Sequence, residues 1–318
     1  MTPTQLRAFA AVVRLGSVKH AAGELKVSES AVSLNIGQLR RELGDQLFTR
    51  TGVGLAFTPG GLRLASRAAE LLGLQDRTII EVGEAARGRR LLRLAASSLF
   101  AEHAAPGLME LFAGRAADLD VELSVRDPGQ FNTLLRTRAV DIAIGPEPPV
   151  LDESVVSRPI MNLQMILVVG PEHPMATVSA NPHQLREQTW LLGPSAAADL
   201  GAVPTLVRRL AVPEERQQIF QSHAAAIEEA KRNRGVAPVL SYAVAQDLAR
   251  GQLVRVTGAQ VQIDAVWHAL MLAERGTPTA AAELARFAST PRAIQAMVRG
   301  KGVNVGHFKP SIHVTLWS

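Results

Sequence analysis

The chain has 318 residues, of which 47 % are hydrophobic and only 4 % aromatic, and its formal net charge is +5. That length accommodates two or three domains with cores of Ala, Leu and Val, and the mild positive charge permits a polyanionic partner. The absence of cysteine excludes a disulfide framework, thiolate metal sites and a cysteine redox switch.

No apolar run reaches the roughly 18 residues a membrane span needs. The run Ala8–Val13, between Arg7 and Arg14, is too short and too charged for a signal segment. A cytoplasmic protein without a membrane partner is expected. The first predicted helix is Thr4–Leu15, with Leu6, Phe9, Ala10 and Val13 on one face and Gly16 ending it. Ser17 is placed to cap a second helix, Val18–Leu25, whose small Ala21-Ala22-Gly23 run admits a close neighbour. Lys26-Val27 makes a tight connection, and Ser28 caps a third helix within "SESAVSLNIGQLRRELG", residues 28–44. Val32, Ile36, Leu39 and Leu43 form its apolar side. The opposite side carries Ser30, Leu34, Gly37 and Arg41, flanked by Ser33 and Gln38. Two helices joined by so short a turn form a helix-turn-helix, whose second helix enters the DNA major groove. Leu47-Phe48 and Leu55–Phe57 flank a turn at 51–54 and predict a small β-hairpin wing. Arg50 and Thr51 stand where its tip would meet phosphate.

The stretch from "LRAFAAVVRLGS" to "FTRTGVGLAFTPGG" closely resembles the N-terminal winged helix-turn-helix of LysR-type transcriptional regulators. The resemblance rests on Gly16-Ser17, Ala21-Ala22, Leu25, Val27-Ser28, Ala31, Ser33, Ile36, Leu39, Glu42-Leu43-Gly44, Leu47-Phe48, Arg50, Thr58 and Gly60. It implies a DNA-binding homodimer or homotetramer, an inverted-repeat operator on double-stranded DNA, and a C-terminal domain that answers a small organic metabolite. RNA polymerase is left open as a further partner. The expected DNA-binding set is Ser28, Glu29, Ser30, Ser33, Leu34, Asn35, Gly37, Gln38, Arg41, Arg50, Thr51 and Thr58. Two features depart from the family: Glu29-Ser30 replaces a frequent Gln-Pro, and Leu34 replaces a frequent Arg. A carboxylate can accept from cytosine N4 and a leucine can pack on a thymine methyl, so both departures predict an altered base preference.

Thr58-Pro59 is a helix-start signal, and the helix is expected to run to about Arg87 with Gly88 at its end. Leu62, Ala65, Ala69, Leu72, Ile79 and Ala86 form a stripe weakened by Asp76 and Gly83. A helix this long suggests pairing with a second copy.

From Leu91 onward, short apolar runs alternate with helical patterns, which predicts α/β architecture with largely parallel sheets. The predicted strands are 91–95, 121–126, 141–145, 165–170, 190–193, 217–221, 236–240, 253–256 and 269–273. The predicted helices are 103–113, 130–138, 196–210, 224–233, 241–249 and 279–287. "LRLAASSLF", "LLRTRAVDIAIGPEP" and "MILVVGPEHPMA", supported by "AAIEEAKRNRGVAPVLSYAV", resemble the family's effector domain, which is similar to a two-lobed periplasmic binding protein. The expected division is therefore 1–58 for the winged helix-turn-helix, 59–90 for a linker and dimerisation helix, and 91–297 for the effector domain. Within that domain, lobe I takes about 91–161 and 266–297, lobe II takes about 162–265, and 298–318 is a C-terminal extension. The chain would cross between lobes near 160–162 and 264–267. Helix starts after strands favour anions and polar groups, which selects Ser97, Ser98, Asn132, Ser195, Ser222 and His223, with Leu99 and Phe131 as apolar walls. Pro128 and Pro146 stand where some relatives carry a hydroxyl and an arginine, which argues against a simple dicarboxylate unless Arg126 substitutes.

The eight histidines show no metal-ligand spacing, and no nucleophile elbow, P-loop or dinucleotide motif occurs, so neither a metal, a cofactor nor an enzyme is expected. The alternatives to a regulator are a cytoplasmic solute-binding protein, an enzyme on the same two-lobed fold, and a DNA-binding protein with a silent effector domain. "SIHVTLW" in the tail alternates like a strand that would join a sheet edge in cis or on another subunit, or stay loose.

Overall fold

A computed structural model describes residues 1–51, 54–114, 118–258, 261–273, 278–299 and 312–315. The chain divides into two compact units, the first built on 1–87 with 136–139, the second on 88–135 and 140–318.

The first unit opens with α1 (Pro3–Leu15), α2 (Val18–Leu25) and α3 (Glu29–Leu43). Each start is capped, at α2 and α3 by the expected serines. Thr2 and Gln5 form a capping box on α1, while the Ser17 and Ser28 hydroxyls accept the His20 and Ala31 amides on α2 and α3. Gly16 and Gly44 end α1 and α3 in the left-handed region, and Lys26 does the same for α2 at φ 54°. Phe9, Val12, Ala21, Val32, Ile36 and Leu39 form the core between the helices. Leu43 differs from expectation. It is 44 % exposed, because the last turn of α3 runs past the core.

The wing follows as β1 (Phe48–Thr51) and β2 (Gly54–Phe57), paired antiparallel with Phe48 opposite Phe57. Next comes α4 (Pro59–Arg87). Its first turn lies so close to the preceding loop that a Cβ on Gly61 would stand 1.7 Å from the Leu47 carbonyl oxygen, so only glycine fits there. Ala68 is buried in the three-helix core, and Leu64, Ala65 and Leu72 pack against it. Farther along, Leu71, Leu74, Ile79 and Val82 are exposed. The expected stripe is therefore only partly covered: Ala65 and Leu72 pack inside their own unit, whereas Leu62 and Ile79 are exposed. Asp76, which interrupts the stripe, pairs with Arg7 on α1 at 3.1 Å.

The second unit starts with β3 (Arg90–Ala96), α5 (Ser98–His103), α6 (Ala105–Ala113), β4 (Leu119–Val125), α7 (Phe131–Arg136) and β5 (Ile142–Gly145). It continues through β6 (Val155–Val169), β7 (Ser179–Ala180), α8 (Pro182–Arg186), β8 (Trp190–Leu192), α9 (Ala202–Arg209), β9 (Gln217–Ile219), α10 (His223–Lys231), β10 (Ala237–Leu240) and α11 (Ala245–Ala249). It closes with β11 (Val254–Arg255), β12 (Thr257–Gly258), β13 (Gln262–Leu272), α12 (Thr279–Ala288), α13 (Pro291–Arg299) and β14 (Ile312–Thr315). The main sheet has the order β10-β6-β13-β5-β3-β4-β14, and β11 also pairs with β6.

This sheet corrects the expectation of largely parallel pairing. β3 is parallel to β4 and β5, but β13 is antiparallel to both β5 and β6, and β6 is antiparallel to β10. The reason is that β6 and β13 are long strands shared by two halves of the unit. Val155–Pro159 pairs with His268–Leu272 beside β5, whereas Met161–Ile166 pairs with Gln262–Trp267 beside β10. One strand carries the chain out and the other brings it back, so they must oppose. The register shifts between Trp267 and His268, where Pro159 faces His268, Met161 faces Trp267 and Ile160 is the extra residue. A bulge of this kind bends a strand pair. It falls at the stretches expected to carry the chain between lobes.

The first halves of β6 and β13 escaped the pattern reading because Arg158, Pro159, Asn162, Asp264 and His268 interrupt them. Proline in particular argues against a strand unless a bulge receives it. The helical stretch expected at 103–113 is α6, preceded by a separate helix, α5, which ends at Ala104, and α13 crosses the boundary expected at 297. Met297 and Ala293 of α13 are fully buried, so that helix is part of the unit's core. In the tail, β14 lies parallel to β4 in the same chain, with Ile312 opposite Val121.

Candidate functional site

α3 presents the first site. Its inner side is fixed by Val32, Ile36 and Leu39, which are at most 3 % exposed. Ser28, Glu29, Ser30, Ser33, Leu34 and Arg41 lie exposed, with Leu34 at 59 %. Gly37 lies half-buried, and a Cβ built there meets nothing in the chain, so packing within the protein does not require glycine at that position.

Several members of the expected DNA-binding set are engaged within the protein, and Asn35, Gln38 and Thr58 are also at least half-buried. Asn35 donates to the Ala31 carbonyl at 2.9 Å and Gln38 accepts from Gln5 at 3.0 Å. Thr58 is half-buried, donates to Asp45 at 2.6 Å and accepts from Gly61 N–H at 2.9 Å. Its hydroxyl caps α4 rather than facing outward. The Thr58 hydroxyl and the Leu47 amide hold the Asp45 carboxyl below its ordinary range, although burial opposes them. Arg50 and Thr51 are exposed on the wing, and the Thr51 hydroxyl donates to the Gly54 carbonyl. Arg40, not selected from the sequence, locks α3 to the wing: it donates to the carbonyls of Gln46 and Phe48 and lies 4.9 Å from the Phe48 ring centre. Its neighbour Arg41 looks equivalent in sequence but points to solvent.

The second site is a cleft of about 1230 Å³ in the second unit. It takes Ser97, Ser98, Leu99 and Ser195 from the expected set, and Ser222 at the start of α10. Three expected residues do not line it. Phe131 is fully buried in a separate core cluster with Leu135 and Val140. Asn132 anchors the following loop, donating to the Val150 carbonyl at 2.8 Å and accepting from Asp152 N–H at 3.2 Å. His223 stands behind the wall, held by its neighbours. The capping pattern that selected these residues marks a helix start without saying which way the side chain turns.

Those neighbours form a network invisible to local pattern. Glu102 on α5 accepts from the backbone amides of His223 and Ala224 at 2.9 and 2.7 Å, and its Oε2 lies 2.7 Å from His223 Nδ1. His223 Nε2 lies 2.9 Å from the Ser195 hydroxyl. A Cβ on Gly193 would fall 2.3 Å from the His223 ring, so glycine there lets the ring reach Ser195. Burial works to raise the Glu102 carboxyl, but the hydrogen bonds and charge of His223 and the two amides outweigh it and bring it to about 2. His103 sits beside them, its ring centre 5.6 Å from that of His223. Burial, reinforced by His223, lowers His103 to about 4, so it is neutral at pH 7.

Glu102, His103 and His223 bring three donor atoms within 4.8 Å of one another, a spacing compatible with a metal ion. Both ring nitrogens of His223 and both carboxylate oxygens of Glu102 are already engaged in hydrogen bonds, so the group is satisfied as a tie between α5 and α10. Ser97 is the contrast. It is 6 % exposed, its amide bonds the Ile144 carbonyl, and its buried hydroxyl has no partner among the described residues.

Two family models match the chain. Residues 3–62 match the bacterial regulatory helix-turn-helix of the lysR family, and residues 85–290 match the LysR substrate binding domain. The uncharacterized HTH-type transcriptional regulator Rv0377 of Mycobacterium tuberculosis is 56 % identical over 321 residues, covering 100 % of both chains. CfxR of Cupriavidus necator is 25 % identical, with 87 % of this chain and 88 % of that protein covered. Among solved structures, full-length CbnR complexed with its target DNA aligns with a TM-score of 0.56 at 19 % identity, covering 91 % of this chain and 100 % of that one. LysG of Corynebacterium glutamicum with bound effector Arg aligns at 0.57 and 19 %, covering 94 % and 99 %. Among the described residues no helix is long and apolar enough to cross a membrane. The chain belongs to the LysR family: it is a DNA-binding transcriptional regulator with an effector-binding domain, and not an enzyme.

Proposed function

We propose that the outward side of α3 reads an inverted-repeat operator and that a small organic metabolite in the cleft controls the reading. The observation that carries this is the division of α3, with one side sealed in a core and Ser30, Ser33, Leu34 and Arg41 left in water. Ser28, Glu29, Gly37, Arg50 and Thr51 extend the same surface. Asn35, Gln38 and Thr58 act by holding its shape. The exposed Leu71, Leu74, Ile79 and Val82 on α4 form the surface through which two copies pair, and two-fold pairing matches a two-fold operator. Solved structures of similar fold, CbnR complexed with target DNA and LysG with bound effector Arg, support both halves of this reading.

In the second unit, the parts of β6 and β13 on either side of the bulge belong to two lobes, and Ser97, Ser98, Leu99, Ser195 and Ser222 face the effector between them. An effector that prefers one lobe arrangement shifts the population toward it, and through the dimer changes how α3 sits on DNA.

The test is a footprint of the purified full-length protein on DNA just upstream of its own gene, at about 150 mM salt with competitor DNA. A protected inverted repeat is the expected result. Diffuse, strongly salt-dependent protection without a repeat would overturn the sequence-specific reading.

A further inference from the structure

We propose that the cleft is built for an uncharged, mostly apolar organic effector with a hydrogen-bonding group, and that Glu102 occupies the subsite an acidic effector would use. This rests on the cleft being the effector site.

The free amides at the start of a helix favour a bound anion. At α10 those amides are already taken. Glu102 accepts from His223 and Ala224, and Ser222 accepts from Ala225 at 3.1 Å. The anion at this helix start belongs to the protein itself. An acidic ligand would have to displace a carboxylate that also holds His223 Nδ1. Ser195 is engaged as well, its hydroxyl 2.9 Å from His223 Nε2.

The charge of the wall points the same way. Among the described lining residues the charged ones are Glu102, Asp127 and Arg126, two carboxylates against one guanidinium. Inside a cleft of low dielectric, an anion meets net repulsion. The Ser97 hydroxyl is buried and without a partner among the described residues, and Ser98 and Gln221 add polar groups to the same wall. Much of the remaining wall is apolar, including Pro106, Met109, Pro146, Leu163, Phe220 and Trp267. The volume of about 1230 Å³ exceeds the roughly 300–1,000 Å³ usual for small-molecule sites, which leaves room for a bulky ring or chain. An apolar body on these walls with one group reaching Ser97 matches what the cleft leaves unsatisfied.

The test uses two fluorescent probes with the same aromatic skeleton, titrated into the full-length protein. N-phenyl-1-naphthylamine is uncharged, and 8-anilinonaphthalene-1-sulfonate adds one sulfonate. The uncharged probe is expected to bind about tenfold or more tightly than the sulfonate. Glu102→Ala is expected to raise sulfonate affinity by about tenfold while changing the uncharged probe by less than about twofold. Glu102→Gln, nearly the same shape, gives a smaller gain in the same direction and guards against lost folding, which circular dichroism monitors. Ala101→Trp and Ala198→Trp fill the cleft and are expected to abolish binding of the uncharged probe. Equal or tighter sulfonate binding by the unaltered protein, still abolished by the two tryptophans, would overturn the ligand class while leaving the cleft as the effector site. Binding of both probes that ignores the tryptophans would remove the cleft reading and the proposal with it.

Discussion

The outer side of α3 and the wall of the cleft both expose serines at helix starts and faces, yet they treat their polar groups in opposite ways. On α3, Ser33 and Arg41 stand in water, where an unpaired group costs little because solvent bonds it. In the cleft, Ser195, Ser222 and Glu102 are bonded to their own chain, because a half-buried polar group without a partner is destabilising. The lesson is that exposure preserves groups for a partner, whereas burial consumes them. What a cleft leaves unconsumed, here the Ser97 hydroxyl, is therefore its more selective feature.

The comparison can be broken first at the inner side of α3. Leu39→Ala, at a fully buried position, is expected to lose about 2–5 kcal/mol in chemical denaturation. A loss below about 1 kcal/mol would mean that α3 is not held by that core.

The cleft network comes next. A group whose folded pKa is lowered stabilises the fold above its unfolded value, and that stability is lost as pH falls toward the folded one. For Glu102 the window runs from its ordinary value of 4.5 down to about 2. The difference corresponds to roughly 3 kcal/mol present at neutral pH. Melting temperatures of Glu102→Gln and the unaltered protein should therefore differ most at pH 7 and converge below pH 4.5. A difference independent of pH across this window would show that the carboxylate charge is not what ties α5 to α10.

Thr58→Ala tests the helix start of α4 and is expected to cost about 1 kcal/mol, the usual value of a lost cap. A large loss of DNA affinity with unchanged stability would return Thr58 to the DNA-contacting set. The smallest effect on stability is expected at Leu34. Leu34→Arg should stay within about 0.5 kcal/mol in denaturation. Its DNA affinity and footprint should nonetheless change, and an unaltered footprint would remove Leu34 from the reading surface. Arg41→Ala should reduce the slope of log affinity against log salt by about one, measured by fluorescence anisotropy.

Much of the first unit was legible in its residues. The caps at Ser17 and Ser28, the ends at Gly16 and Gly44 and the spacing of Val32, Ile36 and Leu39 are local signals, and the structure follows them. The wing was equally local. Arg40 was not, because nothing in sequence separates it from Arg41 until the Phe48 ring and the Gln46 carbonyl come within reach. In the second unit, strand ends and helix starts were visible, and Ser97, Ser98, Leu99, Ser195 and Ser222 do face one cleft. Phe131 and Asn132 carried the same signal and turned inward or toward a loop. Glu102 carried no signal, since its partners on α10 lie 121 and 122 residues away.

The sequence by itself determined the helix-turn-helix, the wing and the alternation of strands and helices, because hydrophobic period, caps and turn residues act over a few neighbouring positions. Tertiary structure alone decided three further features: the opposed pairing of β6 and β13, the bulge at Ile160, and the choice of which helix-start side chains remain open to a ligand. Each of these depends on residues brought together across the fold, where the burial of a polar group and the partner it finds are settled at once.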